Sequence, residues 1–113
     1  MLSFDEIQNV FDSLKKLKLD YRFGYAGSYA RGQAKENSDL DVLVEGTDIL
    51  SSDAYFMIYN TLKKLLTIKF DIVDLKALEQ DDYMMDKKLL EIGLVVNDSS
   101  AYKTMKEEAI WMN

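Results

Sequence analysis

The chain has 113 residues, 48% of them apolar, and a formal net charge of −6 from 20 acidic against 14 basic side chains, with neither Cys nor His. That length and apolar share fit one domain over residues 1–113, with a real core and no room for a separate substrate domain. The acidic balance argues against binding bulk nucleic acid, and the missing Cys and His exclude a zinc site and imidazole acid–base chemistry. No run of about 18 apolar residues suggests a membrane span, and the acidic start Met1-Leu2-Ser3-Phe4-Asp5-Glu6 lacks a signal-peptide pattern, so a cytoplasmic location is expected.

Ser3 and Glu6 have capping-box spacing, and Phe4, Ile7, Val10, Phe11, Leu14 and Leu17 recur at helical intervals, predicting an amphipathic helix over about 4–18. The aromatic run from Tyr21 to Ala26 predicts a strand that delivers a glycine turn at Gly27, with one turn of helix from Ser28 to Arg31. Residues 32–38 are polar and read as a loop; Asp39 to Glu45 reads as the second strand, ended by Gly46. Ser51, Ser52 and Asp53 are N-cap candidates for a helix over about 53–66. Its apolar residues Tyr55, Phe56, Ile58, Tyr59, Leu62, Leu65 and Leu66 cover most of its surface, so deep packing is expected. Residues 67–73 alternate, with Ile68, Phe70 and Ile72 on one face and Lys69, Asp71 and Val73 on the other, the pattern of a third strand.

A further helix is expected over about 82–92, started by Asp81 and Asp82 and capped by Gly93. A short edge strand at Leu94–Val96, a turn at Asp98 and a last helix over 100–113 complete the chain. Trp111, with Ile110 and Met112, is expected to fold back onto the core, the alternative being a partner surface. The tyrosines read as core and rim packing. The fold class is α/β (α+β): a small mixed sheet with helices packed mainly on one side.

The chemistry-bearing residues cluster in one stretch. Gly27 and Ser28 follow a strand, where backbone N–H groups and a hydroxyl can approach phosphate oxygens. Ten residues later, Asp39 and Asp41 stand at i and i+2 of a strand and so share one face, while Leu40, Val42 and Val44 turn to the core. Two such carboxylates repel each other, and a divalent cation would reverse the sign. Asp71 adds a third carboxylate from its own strand. Asp74 competes with it, but parity sets Asp74 with Phe70 and Ile72, or at the strand end as an N-cap for the segment beginning at Leu75.

Gly-Ser, ten residues, Asp-x-Asp, and a third Asp about thirty positions on form a pattern that resembles the nucleotidyltransferase fold shared with DNA polymerase beta. In particular the chain is similar to the minimal nucleotidyltransferases of prokaryotes, the MNT-type antitoxins, over nearly its whole length. Gly27-Ser28-Tyr29-Ala30-Arg31-Gly32 resembles that group's Gly-Ser-x-Ala-Arg-Gly box, Ser38 to Val44 its metal strand, and Phe70-Asp71-Ile72-Val73 its third-carboxylate strand. Tyr29, and Lys35-Glu36-Asn37, depart from the residues frequent there.

The resemblance implies an antitoxin that transfers AMP from ATP to a tyrosine hydroxyl of a cognate HEPN-type RNase toxin, in the prokaryotic cytoplasm. It implies two Mg²⁺ ions held by Asp39, Asp41 and Asp71, with Gly27, Ser28 and Arg31 on the nucleotide's phosphates. A non-catalytic antitoxin that acts by binding alone, and a small-molecule nucleotidyltransferase of the aminoglycoside-modifying kind, are the alternatives.

Overall fold

The N-terminal capping box forms as its spacing dictates. Glu6 donates its backbone N–H to Ser3 Oγ at 3.1 Å, and Ser3 donates its own to Glu6 Oε1 at 3.0 Å, opening helix α1 (Phe4–Lys15). The helix stops short of Leu17 because the chain tightens there: the Leu17 and Lys18 amides bond the carbonyls of Leu14 and Lys15, and Lys18 takes a left-handed φ of 55°. This computed structural model describes residues 1–94 and 100–112.

Strand β1 (Arg22–Ala26) runs into a single helical turn, α2 (Gly27–Ala30), and β2 (Leu40–Glu45) returns antiparallel beside β1. Helix α3 (Ser52–Leu65) is the crossover that a parallel neighbour requires, and β3 (Phe70–Asp74) then lies parallel to β2. Helices α4 (Leu75–Glu91) and α5 (Ala101–Glu108) follow, and a two-residue strand β4 (Ile110–Trp111) pairs antiparallel with β1. The sheet order is β3-β2-β1-β4.

Alternation along β2 divides the interior. Leu40, Val42 and Val44 face α1 and α3 in the larger core, with Phe11, Leu14, Ile58 and Leu62. Leu43, with Ala26, faces the other way onto Leu75, Leu78, Tyr102 and Met105 of α4 and α5. The larger core, under α1 and α3, is therefore on one side, and α4 and α5 cover a smaller cluster on the other, so helices lie on both faces of the sheet.

Besides the shorter α1 and a third strand that spans Phe70–Asp74 rather than 67–73, further expectations change. Helix α3 is not deeply packed: it buries only the stripe Ala54, Ile58 and Leu62, while Tyr55, Phe56, Met57, Tyr59 and Leu65 are exposed. A helix laid on one face of a sheet offers it one contact stripe, so the remaining apolar side chains stay outside. Helix α4 begins at Leu75, not near position 82, because Oδ1 of Asp74 accepts the N–H groups of Lys76 and Ala77 at 3.0 and 3.3 Å and caps it there. Asp81 and Asp82 consequently sit inside the helix, where Asp82, with Asp86, meets Lys103 of α5 at 3.8 and 3.2 Å.

Gly93, at φ +80°, ends α4 in a Schellman arrangement, with the amides of Gly93 and Leu94 bonded to the carbonyls of Leu90 and Leu89. Leu94 is not in a strand; Val95, Val96 and Asp98, and so the rest of the expected edge strand and the turn, lie outside the described residues. The last helix ends at Glu108, because the free edge of β1 takes Ile110 and Trp111 as a strand. Trp111 folds back onto the smaller core, with the Arg22 guanidinium 3.6 Å over its ring, and Met112 is buried. No helix among the described residues is long and apolar enough to cross a membrane.

Candidate functional site

One backbone row across the sheet assembles the site. Ala26 is the partner of Asp41 across the β1–β2 pair, and Asp41 is the partner of Asp71 across the β2–β3 pair. The end of β1 and the starts of β2 and β3 thus meet at one end of the sheet. Asp41 alternates with Leu40 and Val42, and Asp71 with Phe70 and Ile72, so both carboxylates lie on the face covered by α4 and α5. Asp39, one residue before β2, has the same parity.

Gly27 begins the turn that follows this row. Its φ of +74° is in the left-handed region, and a Cβ there would collide with Oδ2 of Asp41. Only glycine lets the backbone lie so close to that carboxylate. Gly27, Ser28, Arg31, Asp39 and Asp41 line an open cleft of about 560 Å³, walled on its far side by Thr104, Met105 and Glu108 of α5. Asp71 does not line this cleft. It borders a neighbouring one of about 320 Å³ together with Tyr59 and Lys63, and Asp39 stands on the rim of both.

The carboxylates act on one another. Burial pushes the Asp41 carboxyl above its ordinary value, and the negative charges of Asp71, Asp39 and Glu108 push the same way, opposed by Arg31. Among the described residues no three acidic groups already close around a single ion position. The donor set nevertheless fits a hard divalent cation in chemical type, since all its ligand atoms are carboxylate oxygens, and in backbone placement, since the row sets two of them side by side.

Two residues qualify the sequence reading. Tyr29, in the glycine box, is buried, and its hydroxyl accepts the Leu2 N–H at 3.1 Å, so it braces the N-terminus against the core. Glu108 was not singled out by any motif, yet its Oε1 accepts the Gly27 N–H and its Oε2 accepts Arg31 Nη1, both at 2.9 Å. No spacing rule links position 108 to position 27. Only the folding of α5 over the sheet brings them together.

Comparison with known proteins bears on this arrangement. Residues 5–101 match the family model described as "Polymerase beta, Nucleotidyltransferase". The protein adenylyltransferase MntA of Thermococcus cleftensis is 38% identical over 78 residues, covering 65% of this chain and 78% of that one. A Methanocaldococcus jannaschii protein provisionally named a protein adenylyltransferase is 34% identical over 99 residues, covering 84% of this chain and 98% of its own. A chain in a crystal structure of a toxin–antitoxin with AMP-PNP shares the fold, with a TM-score of 0.51 at 24% identity, over 75% of this chain and 85% of that one. With a family match over residues 5–101 and relatives more than 30% identical, this chain belongs to the polymerase beta nucleotidyltransferase family.

Proposed function

We propose that this nucleotidyltransferase moves AMP from ATP to a hydroxyl, that of a tyrosine, on a cognate HEPN-type RNase toxin in the prokaryotic cytoplasm, and silences the toxin by doing so. The observation that carries the reading is the row Ala26–Asp41–Asp71, with the Gly27 backbone pressed against Asp41. The names of the relatives support the reaction, and AMP-PNP in a toxin–antitoxin complex of the same fold is consistent with the nucleotide.

In this reading the Gly27 N–H and the Ser28 hydroxyl hold the β and γ phosphates, and Arg31 neutralises their charge. Two Mg²⁺ ions, both held by Asp39 and Asp41 and one also by Asp71, would supply charge stabilisation at the attacking oxygen and the departing pyrophosphate. Asp71 orients the acceptor hydroxyl and accepts its proton as the oxygen bonds to the α-phosphorus; the bond from that phosphorus to the bridging oxygen breaks, and pyrophosphate leaves. The exposure of Asp71 on the edge of the second cleft leaves room for a protein substrate on that side.

ATP labelled at the α or the γ phosphate tests the reaction. With Mg²⁺ and the toxin, the α label is expected on the toxin and the γ label in pyrophosphate. Transfer of the γ label would replace AMP transfer with phosphorylation. Co-expression of the toxin with the D39N/D41N double variant separates catalysis from sequestration: toxicity should return, and full rescue would favour binding alone.

A further inference from the structure

We propose that Glu108 is a built-in competitor for the nucleotide's phosphates, a carboxylate that closes the phosphate turn when ATP is absent. The proposal rests on the phosphate reading of Gly27 and Arg31 given above. Both oxygens of Glu108 are engaged, one with the Gly27 amide and the other with the Arg31 guanidinium, each at 2.9 Å. Those are two of the three donors that the reading assigns to phosphate, the Ser28 hydroxyl being the third. A carboxylate and a phosphate present similar pairs of anionic oxygens to such donors, so the two cannot be bound there together.

The placement is unfavourable on other grounds. Glu108 brings a further negative charge to Asp41, which already faces Asp39 and Asp71. Among the described residues, the donors that hold it are the Gly27 amide and the Arg31 guanidinium. The Arg31 side chain is 47% exposed and that of Glu108 18%, and both line the open cleft, so a polyanion that offers several contacts at once can reach the guanidinium from solvent.

The fold lets Glu108 leave without moving the rest of α5. It is the last residue of that helix, and Ala109 beyond it is already extended. The helix body is tied down separately: the Tyr102 hydroxyl donates to Glu79 at 2.8 Å, Lys103 pairs with Asp86 at 3.2 Å, and Lys106 with Glu45 at 3.2 Å. Beyond it, the Met112 N–H donates to the Phe23 carbonyl at 2.9 Å. Release therefore needs a side-chain rotation or loosening of one terminal turn, where helical hydrogen bonding is weakest.

Calorimetric titration of the full chain with ATP and with adenosine, in Mg²⁺ buffer, tests this. E108A should bind ATP roughly tenfold more tightly than the wild type, because the competent state no longer competes with a closed one, while adenosine affinity stays unchanged. E108Q, which loses the charge but keeps an acceptor for Gly27, should fall between, and it serves if E108A does not fold. ATP affinity that is equal or weaker in the variants overturns the proposal alone, the weaker case marking Glu108 as a positioning residue. Failure of every chain, wild type included, to bind ATP overturns the phosphate reading and this proposal with it.

Discussion

Asp71 and Asp74 belong to one five-residue strand and have different surroundings. Asp74 is bound on both oxygens: Oδ1 caps α4, and Oδ2 accepts the Leu50 N–H at 2.7 Å. Asp71 is exposed at the register of Asp41. Asp71→Asn should therefore leave stability within about 0.5 kcal/mol of wild type, as surface changes usually do, while AMP transfer falls on the order of a hundredfold or more. Asp74→Ala should cost about 2 kcal/mol in urea unfolding, with the activity of the folded fraction retained. Equal stability losses in the two variants would show that parity does not separate their roles. At Asp41 the raised folded-state pKa means that the unfolded chain gives up this proton first. Its ionisation then destabilises the fold as pH rises past the ordinary carboxylate range. In metal-free solution Asp41→Asn should be more stable than wild type by a few degrees in Tm near neutral pH, about the size of a small surface-charge effect, and the difference should vanish in acid. A melting difference that stays constant with pH would contradict this.

At the scale of elements, the tail depends on a glycine in the neighbouring strand. A Cβ on Gly24 would lie 2.6 Å from the Ile110 carbonyl oxygen and 2.9 Å from the Trp111 ring, so β4 can pair only because that side chain is missing. Gly24→Ala should cost about 1–3 kcal/mol and make the chain near Ile110 and Trp111 more sensitive to protease, readable by limited digestion. Unchanged digestion would mean that β4 adapts. The same contact shows where sequence reading reaches its end. The capping box, the alternation of β2 and the Gly27–Asp41 box were legible because each is a local pattern, written within a few residues of one chain segment. The start of α4 is partly legible: Asp74 reads as an N-cap for a segment beginning at Leu75, but Glu79, Asp81 and Asp82 interrupt the apolar spacing, so the pattern does not join that segment to the helix expected from about 82. Strand β4 and the Glu108 contact were not legible, since both depend on which sheet edge and which turn the returning chain meets. The exposure of Tyr55 and Phe56 is not legible for a related reason: periodicity counts apolar residues, but the faces that neighbouring elements pack against decide how many are covered.

For the whole molecule, the acidic net charge and the open clefts suit a domain that finishes its active site against another protein. Asp39 and Asp41 line the cleft beside Gly27, and Asp39 and Asp71 its neighbour, so the carboxylates form the boundary between the two. The central claim is that this boundary is where AMP changes hands. Intact-mass analysis of the toxin after incubation with ATP, Mg²⁺ and this chain tests it most directly. The wild type should add whole AMP units, and a folded D39N/D41N variant should add none; an equal mass gain with that variant, or no gain with the wild type, would contradict the account.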